Sequence, residues 1–408
     1  MSFDKISQRI DSFRDDMVNL QINLAAVPAI APASGGEGEE KKAAVLVKFL
    51  QENGFQGIEV IKAPDLDAPS GSRPNILAYY RGKSSAKTVW IMTHTDVVPP
   101  GELSLWSGHP FKPWVEAGKI YGRGVEDNQQ DMVASIYAVK AFQAEGIKPD
   151  FDIGLALVAD EETGSEKGIG YVLHHSNVFR HKDIIIVPDA GNEDGTLIEV
   201  AEKSILWLKF KTLGKQAHGS MPEKGINSFK AASFLVTELN NLYQEFPTND
   251  PLFDPPISTF EPTKKEANVP NINTIPGEDI FYMDSRILPN YKVEEVEAKI
   301  KEFSAKIEDR FKVRITIEEH QKALAAPPTS AKAPVVTALE KAVKQVYGKD
   351  GKAMGIGGGT VAALFRRAGF EAACWSRIDE TAHQPNEYCI IDNMVGDAKV
   401  FAHIFLQE

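Results

Sequence analysis

The spacing of apolar residues near the start of the chain is helical. Six of them step by three and four positions and predict an amphipathic helix: Phe3, Ile6, Ile10, Phe13, Met17 and Leu20. A second helical pattern runs through residues 45–50 and stops at Asn53-Gly54. A third follows Asp127 and continues to Phe142.

Short runs rich in β-branched residues alternate with these helices and predict strands. They are Ile58–Ile61, Ile76–Tyr80, Val89–Met92, Ile153–Val158 and Ile184–Val187. Strands that alternate with helices indicate an α/β layer, so we predict a mixed, largely parallel sheet with helices on both faces.

The pattern changes at about Ala201 and returns to the first type after Pro327-Pro328. Between these points the order of predicted elements is β-α-β-β-α-β, which is typical of a ferredoxin-like α+β unit. We therefore predict a catalytic domain in two parts, residues 1–201 and 319–408. Residues 202–318 would form an inserted lid.

Composition and charge exclude several classes of protein and of partner. A length of 408 residues favours two domains, and 43% hydrophobic with 25% charged residues is an ordinary globular mix. The net charge of −12 argues against a nucleic-acid partner. No apolar run reaches the ~18 residues of a membrane span, and the charged N-terminus lacks a signal peptide pattern. The two cysteines, Cys374 and Cys389, support neither a disulfide framework nor a thiolate metal site. We expect a cytoplasmic protein with no membrane partner.

Ionisable residues collect at the ends of the predicted strands. They are His94, Asp96, Asp127, Glu161, Glu162 and Asp189, and His383 joins them from the last part of the chain. So many carboxylates in one cleft would repel each other unless a cation lay among them. The two histidines favour a transition metal over calcium or magnesium. The pattern predicts a metal site, and one that holds two ions.

Pairs within this set indicate separate roles. His94 and Asp96 are two residues apart, so an extended backbone places both side chains on one face and lets Asp96 accept the ring N–H of His94. Glu161 and Glu162 are adjacent and cannot easily point the same way, which favours one ligand and one base. On its own motif, Asp127 is equally well explained as a helix N-cap.

The chain resembles the dinuclear zinc metallopeptidase family that includes glutamate carboxypeptidase, acetylornithine deacetylase, succinyl-diaminopimelate desuccinylase, aminoacylase-1, peptidase T and carnosinase. The motifs that carry the resemblance are Thr93-His-Thr-Asp96, Tyr121-Gly-Arg-Gly-x-x-Asp127, Asp160-Glu-Glu162, Pro188-Asp189, His218-Gly-Ser, Asp284-x-Arg286, Gly357-Gly-Gly-Thr360 and His383-x-x-Asn-Glu387. It implies a zinc-exopeptidase-like fold with a lid that also forms a homodimer interface.

The resemblance also implies roles for the metal-site residues. His94 and Asp189 would hold one ion, Glu162 and His383 the other, and Asp127 would bridge them through a segment whose bond to Asn128 is cis in relatives. Glu161 would be the general base for the water between the ions, and Asp96 would orient His94. Zinc is the favoured metal, with cobalt or manganese as alternatives.

Further residues resemble the family's substrate contacts. His218 would stabilise the oxyanion, from the partner subunit in dimeric relatives. Arg286, Asn273 and the loop Gly357, Gly358 and Gly359 would hold a substrate carboxylate. Trp375 and Arg377 are candidate specificity residues, although strand-end packing explains them equally well. The chain departs from many relatives at Gln129-Gln130, where they have Lys-Gly, which leaves the subfamily open.

We therefore expect a hydrolase of an amide bond beside a free carboxylate, with an N-acyl amino acid or a short peptide as substrate. The first alternative is a dipeptidase or aminopeptidase that binds a free amine through Asp379 or Glu380. The second is a catalytically silent metal-binding assembly protein, against which the presence of Glu161 argues.

Overall fold

The computed structural model describes residues 2–407, which form two compact units. One unit contains the chain up to Val200, together with Pro328–Ala353 and the residues from Thr360 onward. The other contains Ala201–Pro327 and Met354–Gly359. Each unit has its own hydrophobic core, as expected for a chain of 408 residues.

A mixed eight-stranded sheet is formed mostly by residues of the first unit. In order across the sheet, its strands are Gln56–Pro64, Ser72–Tyr80, Phe151–Val158, Ser84–His94, Ile184–Val187, Ala372–Cys374, Leu197–Glu202 and Lys352–Ile356. The four central strands pair in parallel, and the strand on each side of this group joins it in the antiparallel sense. A small antiparallel sheet consists of Trp114–Glu116, Lys119–Tyr121 and Tyr388–Ile390.

The helices of this unit are Ser2–Ser12, Arg14–Ala25, Glu40–Glu52, Gln130–Glu145, Ile169–His175, Pro334–Tyr347, Ala362–Arg367 and Ile391–Phe405. The single helix predicted for the first twenty residues is two helices that meet at Phe13, whose φ of −91° and ψ of 2° interrupt the helix. Apolar spacing reports which face is buried, and it does not report a break in the hydrogen bonding. Helix Gln130–Glu145 is buried over most of its length and contacts both the sheet and helix Ile391–Phe405.

The register of the central strands brings the predicted site residues to one edge. His94 pairs with Val158, so Glu161 and Glu162 follow just beyond it on the neighbouring strand. On the other side Ile91 pairs with Ile186, which sets His94 level with Asp189. Open α/β sheets bind ligands at the carboxyl ends of parallel strands, and this is that edge.

The second unit is a four-stranded antiparallel sheet with two long helices. The strand order is Thr259–Lys265, Glu278–Ile287, Ser204–Leu213 and Arg314–Ala323. Helices Ser228–Leu239 and Val293–Phe311 supply much of its core. The unit also contains the short helix Leu242–Glu245 and the short strand pair Ala217–His218 and Thr274–Ile275. Along the chain the main elements follow the β-α-β-β-α-β order of a ferredoxin-like unit.

Two further features bear on the sequence predictions. Cys374 and Cys389 are both buried and are not joined in a disulfide. Within residues 2–407, every helix is either too short or too polar to cross a membrane.

Candidate metal centre

The six predicted ligand and base residues meet at the carboxyl edge of the central strands. Ligand atoms of His94, Asp127 and Glu162 all lie within 4.8 Å of one another, and so do those of His94, Glu161 and Asp189. The Nε2 atom of His94 lies 2.9 Å from Asp127 Oδ1 and 3.3 Å from Asp189 Oδ1. Ligands of a tetrahedral zinc ion with bonds of about 2 Å lie roughly 3.3 Å apart, so these separations fit an ion between them.

Asp127 faces both histidines. Its Oδ1 approaches His94, while its Oδ2 lies 3.2 Å from His383 Nε2. His383 in turn lies 3.0 Å from Glu162 Oε2. The two oxygens of one carboxylate thus point into two neighbouring ligand groups, which is the arrangement that a bridging ligand requires. The Asp127–Asn128 peptide bond is cis, as the resemblance implied.

Asp96 is buried beside His94, but its contacts differ from the prediction. His94 Nδ1 lies 3.1 Å from the backbone oxygen of Asp96 and 3.6 Å from its carboxylate Oδ1. The carboxylate instead accepts the backbone N–H groups of Glu161 and Glu162, at 3.1 and 3.0 Å. Asp96 therefore contacts His94 mainly through its backbone and holds the turn that carries both glutamates.

Asn128 is a site residue that the sequence reasoning missed. Its side-chain oxygen accepts the backbone N–H of His94 at 3.0 Å, and its amide donates to Asp189 Oδ1 at 3.1 Å. It thereby links two strand ends that carry predicted metal ligands, His94 and Asp189. Its only signal in the sequence was its place directly after Asp127, which does not distinguish it from a residue of a helix start.

The electrostatics of the cluster fit a bound cation. Burial raises the pKa of Glu161 well above its usual range, and the charge of Asp189 raises it further. Burial also raises the pKa of Glu162. Burial would raise the pKa of Asp127 too, but hydrogen bonds with His383 and His94 outweigh it and lower that pKa. Carboxylates that are desolvated and repel one another are stabilised by a positive charge among them, so the donor set suits divalent metal ions.

The histidines hold protons that a metal must displace. Hydrogen bonds to Asp127 and Glu162 raise the pKa of His383 to about 10. Burial would lower the pKa of His94, but its hydrogen bonds to Asp127 and Asp189 prevail and raise it well above its usual value. Both imidazoles are therefore cationic at neutral pH when no metal is bound, and only the neutral form can be a ligand.

Metal binding to the chelator-stripped protein is therefore expected to release protons. At pH 7.5 we expect at least about two protons per chain, because each histidine must lose one before it ligates. Affinity should rise with pH until the pKa of His383, about 10, is passed. Calorimetric titration with Zn²⁺ in buffers of different ionisation enthalpy measures the release. His383→Ala should release about one proton fewer, and buffer-independent heats would contradict the proton-coupled site.

In the second unit the structure brings His218 and Asn273 together. The short strand pair aligns His218 with Thr274, and the Gly219 N–H donates to the backbone oxygen of Asn273 at 2.6 Å. The Ser220 backbone N–H donates to Nδ1 of His218 at 3.2 Å. A neutral imidazole that accepts at Nδ1 carries its proton on Nε2, so His218 presents an N–H donor. Its side chain is exposed.

Arg286 and the glycine loop also meet in this unit. Nε and Nη2 of Arg286 donate to the two oxygens of Asp284 at 2.7 and 2.9 Å, and Nη1 donates to the Gly357 carbonyl at 2.9 Å. Three of the five N–H donors of a guanidinium are thus engaged. A Cβ placed on Gly357, Gly358 or Gly359 would meet nothing within 4 Å, so the space over the loop is open.

The surroundings of Trp375 and Arg377 are structural contacts. Trp375 is fully buried, and its indole N–H donates to the Gly195 carbonyl at 2.9 Å, so packing explains it. Arg377 lies over the Tyr347 ring at 4.8 Å and donates from Nε to the Glu193 carbonyl at 2.9 Å. Two structural contacts therefore account for Arg377 as well, and for both residues the structure favours the packing explanation.

Comparison with known proteins supports the same chemistry. Residues 90–407 match the family model described as Peptidase family M20/M25/M40. An uncharacterised metallohydrolase of Methanococcus maripaludis is 40% identical over 96% of this chain and 99% of its own. A succinyl-diaminopimelate desuccinylase of Paracoccus denitrificans is 26% identical over 95% of this chain and 97% of its own. The solved structure of aminopeptidase PepT from Bacillus cereus shares the fold, with a TM-score of 0.75 at 19% identity over 96% of this chain and 98% of that one.

Proposed function

This chain belongs to peptidase family M20/M25/M40 and is a metal-dependent hydrolase of amide or peptide bonds, and within that class we propose that it cleaves an amide bond next to a free carboxylate. The substrate would be an N-acyl amino acid or a short peptide. The observation that carries the proposal is Arg286, which retains unused N–H donors beside the open glycine loop. The relative named succinyl-diaminopimelate desuccinylase acts, by its name, on an acylated amino acid.

The residues that would hold the metal ions follow from the contacts. We assign His94 and Asp189 to one ion, Glu162 and His383 to the other, and Asp127 to both. The mixed imidazole and carboxylate donors favour zinc. A pair of divalent ions bound there would polarise the substrate carbonyl and lower the pKa of water towards ~7.

Glu161 is the proposed proton carrier. The Asp96 carboxylate accepts the backbone N–H of Glu161 at 3.1 Å and so positions the turn. The Glu161 side chain itself is not among the proposed ligands. Burial raises the pKa of Glu161 well above its usual range, and a carboxylate with a raised pKa is a stronger base for a nearby proton. Glu161 would take a proton from the attacking water and pass it to the leaving amine.

Two groups of the second unit would act on the substrate. His218, whose Nε2 carries the donor hydrogen, would stabilise the oxyanion of the tetrahedral intermediate. Arg286 would bind the carboxylate with Asn273 and the Gly357–Gly359 loop, because a fork of N–H donors matches a carboxylate. Asp284 fixes the orientation of this guanidinium. The lid, residues 202–318, and a homodimer formed through it remain predictions.

A substrate panel tests the proposal. We expect N-acetyl and N-succinyl amino acids to be cleaved with a higher kcat/KM than dipeptides with a free amine, with zinc content measured on the same sample. Methyl esterification of the substrate carboxylate should lower kcat/KM about 10- to 100-fold, the range expected from one lost charged hydrogen bond. Dependence on a free amine would instead favour the dipeptidase or aminopeptidase.

Arg286→Lys tests whether Arg286 is the residue that binds the substrate carboxylate. It keeps the charge but loses the planar fork, so KM for acyl amino acids should rise and the penalty for esterification should shrink. An unchanged ester penalty would assign carboxylate recognition to another residue.

The alternative function, binding of a free amine, has less support, because the Asp379 carboxylate already accepts the Tyr388 hydroxyl at 3.0 Å. Failure on both substrate classes would count against both hydrolase hypotheses.

A further inference from the structure

Two buried glutamates lie directly beside the proposed metal ligands without being ligands themselves. Glu126 precedes Asp127 in the chain, and Glu387 follows four residues after His383. Their exposed fractions are 3% and 1%. Burying a carboxylate is costly unless its oxygens are hydrogen-bonded, and both glutamates have several hydrogen-bond donors.

Glu387 holds the turn that carries Asp127. Its Oε2 accepts the Gly124 N–H at 2.9 Å, and its Oε1 accepts the N–H groups of Glu126 and Asp127 at 3.0 and 3.3 Å. Arg123 Nη1 adds an ion pair at 2.7 Å. A carboxylate from the last part of the chain thus fixes the backbone of the proposed bridging ligand.

Glu126 in turn binds the loop that carries His383. It accepts the backbone N–H groups of Asp379 at 2.7 Å and Ala382 at 3.1 Å, the N–H of Thr381, and the Thr381 hydroxyl at 2.9 Å. These partners are backbone N–H groups and a hydroxyl, so neutral donors hold the Glu126 carboxylate. Each glutamate therefore bonds the segment on which the other one lies.

The His383 loop needs such support. Glu380, His383 and Asn386 all have positive φ values, of 58°, 63° and 60°, which non-glycine residues adopt only when surrounding contacts compensate. The His383 side chain is 54% exposed, so packing alone does little to hold it. The bonds to Glu126 are the direct tie between this loop and the residue next to Asp127.

We propose that Glu126 and Glu387 are positioning residues that lock the Asp127 turn and the His383 loop together, and that Glu126 in particular sets the affinity of the metal ion held by His383. This inference rests on the proposed metal assignment. Loss of a group that orients a ligand typically weakens metal binding 10- to 100-fold. The effect should fall on one ion, because Glu126 bonds the loop of His383 and none of its bonds described above goes to His94 or Asp189.

Glu126→Gln is the most direct test. The amide presents N–H₂ to backbone N–H donors, so part of the loop bonding is lost, and no buried cation is orphaned as Arg123 would be in Glu387→Gln. Stepwise dissociation constants are measured by titrating the stripped protein with Zn²⁺ against a chelator and with Co²⁺ by its absorption spectrum. We expect one step to weaken about 10- to 100-fold and the other to be unchanged. Glu126→Asp should restore part of the loss.

The controls identify the affected ion. His383→Ala should weaken the same step, and adding Glu126→Gln to it should cause no further loss in the remaining step. Asp183→Asn is the matched control, because this buried carboxylate accepts three N–H groups at the opposite end of strand Ile184–Val187 from Asp189. Both of its steps should match those of the unaltered protein.

Three results would overturn the inference: two unchanged steps in Glu126→Gln, equal weakening of both, or the same loss in Asp183→Asn. Thermal unfolding checks that the variants fold, and if Glu126→Gln does not, Glu126→Asp and Thr381→Val are judged by the same outcomes. If the unaltered protein binds fewer than two ions, the metal assignment itself fails and this inference falls with it. Two ions with unaffected variants would leave the proposed function standing.

Discussion

Glu161→Gln is expected to lower kcat by about 10²- to 10⁴-fold, the range that a general acid–base group supplies, while both metal ions stay bound. Glutamine keeps the size and shape of the side chain but cannot take up or release the proton. The backbone N–H of residue 161 still donates to Asp96, so the turn that carries Glu162 should keep its place. KM should change much less than kcat, because the lost interaction belongs to the transition state.

Steady-state kinetics and metal content on the same sample check this result. Glu166→Gln is the matched control, since it makes the same substitution at an exposed position of the same loop and should leave kcat unchanged. A loss of metal in Glu161→Gln would make Glu161 a ligand. Unchanged turnover would refute the mechanism, and absence of turnover in the unaltered protein on every substrate would favour the silent metal-binding protein.

Asp127→Asn should remove more metal than any other single change in the cluster. The two oxygens of Asp127 face His94 at 2.9 Å and His383 at 3.2 Å, so the change affects both proposed ions. Asparagine loses the charge and leaves only one oxygen as a donor. We expect both ions to bind at least about 100-fold more weakly, the upper end of what a lost supporting partner costs, and activity to fall to background.

Asp189→Asn provides the comparison, because Asp189 contacts His94 and belongs to one proposed ion only. It should retain about one ion per chain, because each zinc ion depends on its own ligands and Asp189 is assigned to only one of the two ions. Metal content after gel filtration, measured by mass spectrometry, separates the two variants. Equal losses in Asp127→Asn and Asp189→Asn would contradict a bridging role for Asp127.

Much of the fold was predictable because its signals are local. The apolar spacing of Ile184–Val187 and the β-branched runs of Val89–Met92 and Ile153–Val158 each report one strand, and the structure contains all three. Strands such as Leu197–Glu202 were missed, and the break at Phe13 was not foreseen. Burial patterns predict the presence of an element more reliably than its end residues or the elements that it contacts.

The sequence by itself determined which residues follow the strands, and since parallel strands end at one edge of a sheet, it placed His94, Glu162 and Asp189 together. Only the tertiary structure decided how Asp127 meets His383, that the Asp96 carboxylate holds the glutamate turn, and that Glu126 and Glu387 bond each other's segments. The physical reason is that a hydrogen bond between distant segments leaves no periodic trace in the sequence. A buried glutamate that holds a loop is the same residue in the sequence as a solvated one, and only the folded structure distinguishes the two.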